Sequence, residues 1–266
     1  MIKTIIFDLD DTLLWDKKSI ATAFENTCKY AAELLYIDAF ELENAVREAA
    51  RKLYATYDTY EFTQNIGINP FEGLWGIFDD AEAAFGRMKE IIPHYQKEAW
   101  TTGLQKMGIH NAVIGEKLAA IFIEERKMSP FVYEETFSVL DQLKGNYTLV
   151  LLTNGAPSLQ NTKLEITPEL KPYFDEIIIS GAFGKGKPDP SIFEYVMKKT
   201  GHSAGESLMI GDNLMTDILG SSRVGMRSVW INRENQPKRD EIQATYEINH
   251  LEELFPILDQ LGRIEM

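Results

Sequence analysis

Hydrophobic and polar positions follow two different rhythms along this chain. Residues 2–7 form an apolar run broken only by Lys3 and Thr4, the pattern of a strand buried on both faces. From about residue 17 to residue 128 the period becomes helical. Ala21, Phe24, Cys28, Ala31 and Leu35 recur at three- and four-residue spacing, as do Leu42, Val46, Ala49 and Leu53, so each set lines one face of a helix. Further helices are predicted near 81–100 and 111–127, with an aromatic, glycine-containing break at 66–78. No strand is expected in this block.

After Ser129 and Pro130 the rhythm changes again. Residues 136–143 read as a helix and 147–153 as a strand rich in Leu and Val. Apolar runs at 176–180, 207–211, 227–231 and, more weakly, 244–248 follow, separated by helical patterns at 190–200 and 216–224. Strands alternating with helices predict an α/β fold: a Rossmann-like, doubly wound parallel sheet. Ligands in such sheets sit beyond the carboxyl ends of the strands. The helical block interrupts the sheet after its first strand, so the chain divides into an α/β core of residues 1–14 and 129–266 and an inserted helical domain of residues 15–128. Residues 232–241 read as a surface loop.

Composition narrows the class of partner. The chain has 266 residues, is 44% apolar and 26% charged, and carries a net charge of −14. That balance argues against nucleic acid as a partner, which requires a basic footprint. It permits a small phosphorylated molecule, because a lysine, backbone amides and a metal ion reverse the field locally. A single cysteine, Cys28, excludes an internal disulfide and suits a reducing cytoplasm. No apolar stretch of about 18 residues and no signal-peptide pattern is present, so no membrane partner and a cytoplasmic location are expected. Oligomeric state is not legible.

Four short segments place polar atoms at the ends of apolar runs. The first carries Asp8, Asp10 and Asp11 directly after the first strand. Like charges held this close need neutralising, and a divalent cation does so while one carboxylate is kept for attack. A second acid there can protonate a leaving alkoxide and then activate water. These features point to phosphoryl chemistry. The second segment, Thr153-Asn154-Gly155, offers a hydroxyl and an amide near a helix N-terminus, which suits phosphate oxygens. In the third, Lys185 and Lys187 sit in a Gly/Pro loop leading to Pro190, where a lysine acts as a compact point charge. The fourth holds Gly211, Asp212 and Asp217, with Asp212 placed as an oxygen ligand for a hard cation.

Taken in order, these segments resemble the motifs of the haloacid dehalogenase-like (HAD) hydrolase superfamily. Asp8, Asp10 and Thr12 match its Asp-x-Asp-x-Thr motif, and Thr153 its Thr or Ser after a strand. Lys187, before Pro188, matches its lysine, and Gly211, Asp212 and Asp217 match its Gly-Asp…Asp. The resemblance implies that Asp8 is the nucleophile and that Asp10 is the general acid and base. It further implies that Asp8, Asp212 and the main-chain oxygen of Asp10 ligate Mg2+, and that Asp217 orients metal-bound water. Thr153 and Asn154 would hold the phosphoryl group, with Lys187 steadying Asp8. Lys185 receives no role, and Asp11 is read as a turn residue.

Within the resemblance the inserted helices correspond to a cap, with substrate contacts expected from residues 15–18 and 65–75 and their aromatics Trp15 and Trp75. Asp10 argues against dehalogenation, since a halide leaves without a proton. A Mg2+-dependent phosphomonoesterase of a small metabolite is the expected activity, with phosphoserine, a nucleoside monophosphate or a sugar phosphate as candidate substrates. The alternatives are a phosphomutase, a phosphonate hydrolase, or a catalytically weak regulatory or binding protein.

Overall fold

The computed structural model describes residues 1–81 and 83–263. Six parallel strands form one sheet: β1 (Thr4–Phe7), β2 (Thr148–Thr153), β3 (Glu176–Ile179), β4 (Ser207–Gly211), β5 (Arg227–Ile231) and β6 (Tyr246–Ile248). Their spatial order is β3-β2-β1-β4-β5-β6. Ile6 of β1 lies opposite Val150 on one side and Met209 on the other. The α/β fold read from the alternation is therefore present. The order reverses direction between β1 and β4, so the crevice beyond their carboxyl ends is the expected ligand position. β1 is buried along its whole length, as a central strand covered on both faces must be.

Two element boundaries near the carboxyl ends of the strands differ from the periodicity. The third strand stops at Ile179, and Ser180 opens a short helix, Ser180–Phe183. The segment after β4 is not one regular helix. It begins as a π-helix, Leu214–Ile218, and continues as the α-helix Leu219–Arg223. Apolar spacing cannot separate one widened turn from an ordinary one, because a single turn is too short to establish its own period. Such widened turns recur at functional sites.

By its contacts the chain forms two compact units. The sheet unit comprises Met1–Trp15, Val132–Gly155 and Thr167–Met266, and the helical unit comprises Asp16–Phe131 with Ala156–Ile166. The sequence reading ran the sheet domain unbroken from residue 129. In the structure the helix Pro157–Ile166 packs instead with the inserted helices, and Ala156 and Leu159 join their apolar core.

In the helical unit, the helices Asp16–Leu35, Ala39–Tyr54, Ala83–Lys106 and Ala112–Met128 surround a core that includes Phe24, Tyr95, Trp100 and Phe122. Asp38 and Asn111 cap two of them, each accepting from backbone amides of the first turn. Gly103 lets two helices approach closely, since a Cβ there would lie 2.3 Å from Val46 Cγ2. Among the described residues, no strand occurs in this unit, and no helix is long and apolar enough to cross a membrane.

Candidate active site

The sheet unit brings the four sequence segments together at the carboxyl ends of β1, β2 and β4 and in the loop after β3. Asp8 follows β1 directly, and its amide donates to Ile210 O of β4 at 2.9 Å. Beyond it the chain turns at Asp11, whose φ of 59° is left-handed, a conformation that aspartate tolerates better than most residues. The Asp11 amide donates to Leu14 O at 2.7 Å and closes the turn. The reading of Asp11 as a turn residue is thus matched by its backbone.

Lys187 lies at the centre of the cluster. Its Nζ donates to Asp8 Oδ1 at 2.6 Å and to Leu152 O at 2.7 Å, and it stands 2.7 Å from Asp217 Oδ1. Its side chain is 1% exposed. Asn154 holds the lysine in place through both ends of its amide. Nδ2 donates to Lys187 O at 2.9 Å, and Oδ1 accepts from Lys187 N at 2.8 Å. Gly186 makes this approach possible, because a Cβ there would fall 2.8 Å from Asn154 Oδ1. Asn154 therefore acts on Lys187 in the structure, a contact the phosphate-binding expectation did not include. Lys185 points elsewhere and pairs with Asp189 at 3.3 Å.

Asp217 is 1% exposed, and its Oδ2 accepts from Asn213 N at 3.1 Å within the π-turn. Gly211 is required for this fit, since a Cβ there would lie 2.3 Å from the Asp217 carboxyl group. Thr12 links the first and fourth segments. Its Oγ1 accepts from Asp212 N at 3.1 Å and lies 3.4 Å from Asp8 Oδ2, long for a hydroxyl–carboxylate bond. Trp230 Nε1 donates to Asp212 O at 2.8 Å. Thr153 is buried at the end of β2, 1% exposed.

Burial pushes the Asp8 carboxyl up to about 6, with Lys187 opposing the rise and Asp217 adding to it. Burial works against the Lys187 ammonium, but Asp217 and Asp8 outweigh it and hold its pKa above the ordinary lysine value. The pair is thus a buried carboxylate kept near its titration point beside a firmly protonated lysine. Perturbation of this kind, in a group placed at a sheet's switch point, marks functional sites.

One oxygen from each of Asp8, Asp212 and Asp217 lies within 4.8 Å of the others. All three donors are hard oxygens, and the carboxylates outnumber the lysine between them, so the set fits a hard divalent cation such as Mg2+. The carboxylate of Asp10 is not in this set; Asp10 is half-buried. Asp217, expected to act through water, has one oxygen within 4.8 Å of the other two acids.

Sequence reasoning missed Trp230, which it left in a strand. One signal was available: it lies at the carboxyl end of a predicted strand, where ligand-facing groups of such sheets collect.

The family model of haloacid dehalogenase-like hydrolases matches residues 2–225. Phosphoserine phosphatase of Thermus thermophilus is 29% identical over 254 residues, covering 96% of this chain and 98% of the relative. Glyceraldehyde 3-phosphate phosphatase of Methanocaldococcus jannaschii is 28% identical over 266 residues, covering 99% and 100%. A crystal structure of YfnB from Bacillus subtilis bound to magnesium superimposes with a TM-score of 0.64 at 26% identity, covering 97% of this chain and 98% of that one. Family match, sheet order and site geometry agree, and the chain belongs to the haloacid dehalogenase-like hydrolases.

Proposed function

We propose that this hydrolase is a Mg2+-dependent phosphomonoesterase of small metabolites, working through a phosphorylated Asp8. The observation that carries the reading is the Lys187 ammonium, buried between Asp8 and Asp217 where three acids converge at the switch point. Relatives that span nearly the whole chain are phosphatases of small phosphomonoesters, which supports this reaction class and a substrate of that size.

The residues divide the work. Lys187 engages Asp8 Oδ1, so Oδ2 is the more available oxygen and attacks phosphorus. The ester P–O bond breaks, and Asp10 delivers its proton to the departing alkoxide. A water molecule, deprotonated by the same Asp10, then attacks the aspartyl-phosphate, releases inorganic phosphate and restores Asp8. Lys187 offsets charge on Asp8 through both steps, and Thr153 at the end of β2 offers its hydroxyl to the phosphoryl oxygens. When bound by Asp8, Asp212 and the Asp10 main-chain oxygen, with Asp217 beside them, Mg2+ would supply electrostatic stabilisation of the charge on the transferring phosphoryl group. The helical unit takes the role of a cap that contacts substrate and excludes water.

Uncatalysed phosphomonoester hydrolysis is among the slowest reactions known, with enzymatic accelerations of up to ~10²¹, so nucleophile, acid and cation are all expected to matter. The test is turnover of a generic aryl phosphate by the wild type, by the wild type with chelator, and by Asp8→Asn. Loss of turnover in the second and third arms is expected. Equal turnover in all three rejects the reading. A panel of phosphorylated metabolites ranked by kcat/KM then identifies the substrate.

A further inference from the structure

A second, part-buried ion pair lies within the sheet unit, apart from the acids and lysine that take part in the chemistry. Arg233 stands two residues beyond the end of β5, and its side chain is 14% exposed. Its Nη1 donates to Glu135 Oε1 at 2.7 Å, and its Nη2 donates to the backbone oxygen of Thr12 at 3.1 Å. The flat face of the guanidinium lies over Tyr133, with Cζ 3.5 Å from the ring centroid. Tyr133 in turn stacks on Trp15 at 5.3 Å. Glu135, with its side chain 4% exposed, also accepts from Leu251 N at 3.3 Å and lies 3.4 Å from His250 Nε2. All seven residues belong to the sheet unit.

Holding an arginine in a part-buried place costs desolvation that its partners must offset, and its planar fork suits it to two acceptors at once. Here one end is fastened to Glu135, one face to Tyr133, and the other end reaches a single target, the Thr12 carbonyl. Thr12 is also the residue whose hydroxyl spans from Asp212 N to the side of Asp8. A shift of the Thr12 backbone therefore moves a side chain that, together with Lys187 between Asp8 and Asp217, ties the two acid-bearing loops to each other. The backbone tie between these loops, Asp8 N to Ile210 O, fixes the backbone of β1 but not the separation of the carboxylates.

We infer that Arg233 is a positioning residue. Seated on Glu135 and Tyr133, it holds the Thr12 carbonyl and so sets the spacing of Asp8 and Asp212 for cation binding and for attack. The inference rests on the phosphatase reading for its kinetic consequence only, because the spacing of the acids is also read by cation binding.

The experiment compares wild type, Arg233→Met, Arg233→Lys and Glu135→Gln in three measurements. These are melting temperature, affinity for Mn2+ by calorimetry well below the melting temperature, and kcat and KM with an aryl phosphate. Arg233→Met is expected to weaken Mn2+ binding about 10-fold or more, as removal of groups that orient metal ligands commonly does, and to lower kcat by a similar factor with KM little changed. Arg233→Lys keeps the charge but loses the two-ended grip, so it recovers only part of both. A folded Arg233→Met protein with Mn2+ affinity and kcat within about twofold of wild type overturns the inference. Should Arg233→Met fail to fold, unchanged affinity and kcat in both Arg233→Lys and Glu135→Gln overturn it equally. If the wild type and Asp8→Asn prove equally inactive, the phosphatase reading falls, while the Mn2+ measurement still decides the role of Arg233.

Discussion

The central residue is a lysine that the fold has enclosed with two acids. Removing a partner from a buried ion pair costs more than never having built it, typically about 3–5 kcal/mol. Lys187→Met would leave Asp8 and Asp217 facing each other without the ammonium between them. The metal-free variant is expected to lose stability of about that size at neutral pH, read by chemical denaturation, together with nearly all turnover. Asp8 itself gives a pH prediction. Its carboxyl is pushed up to about 6 by burial, against Lys187 and with Asp217, so in the metal-free protein it holds a proton in mildly acid solution. A cation must displace that proton. Affinity for Mg2+ should therefore be flat above the Asp8 pKa and fall as the pH drops through it, which calorimetry at a series of pH values would detect. The stability sign is the reverse of the usual acid: because the folded-state value is raised, Asp8 weakens the metal-free fold as the pH climbs from the ordinary aspartate range toward about 6.

At the scale of elements, turns rather than helices decide the site. The π-turn at Leu214–Ile218 brings Asp217 back onto Asn213 N and Lys187, and Gly211 leaves room for it. In the helical unit the comparable feature is a buried charge network. Arg126 Nη2 lies 2.7 Å from Asp16 Oδ1, and Lys163 Nζ lies 3.1 Å from Glu72 Oε1 and 3.9 Å from Asp16 Oδ1. Arg126 also donates to Ser19 Oγ and sits 4.5 Å above the Trp75 ring. Trp75, 2% exposed, is thus a core residue of this unit rather than a platform open to substrate. Trp15, which is 39% exposed, stacks on Tyr133 in the sheet unit. Burial alone would raise the Asp16 pKa, but Lys163 and Arg126 hold it below the ordinary aspartate value. Its stabilising effect is present above the ordinary aspartate range and is lost as acid protonates it through the lowered folded value. Lys163→Met is expected to destabilise the helical unit by about 3–5 kcal/mol, with part of the loss recovered by adding Glu72→Gln; urea denaturation of the single and double variants measures both.

For the whole molecule, the division into two units has a thermodynamic consequence. All three acids that converge at the site belong to the sheet unit, so a bound cation acts first on the stability of that unit. At a hundred times its dissociation constant a ligand adds about 2.7 kcal/mol. Scanning calorimetry with and without Mg2+ should show the sheet unit's transition moving upward, and Asp8→Asn or Asp212→Asn should reduce that shift. By itself the sequence determined the parallel sheet, the helical insertion after β1, and the four segments that converge, because strand and helix periods and short motifs are local properties of a chain. It could not determine that Pro157–Ile166 packs with the inserted helices, since that helix's apolar face is the same whichever core it fills. Nor could it reveal that Asn154 grips Lys187 or that Arg233 reaches Thr12, 221 positions away. Those contacts join residues with no sequence relation, and only the register of β1 between β2 and β4 and the close packing of their loops brings them within hydrogen-bond reach.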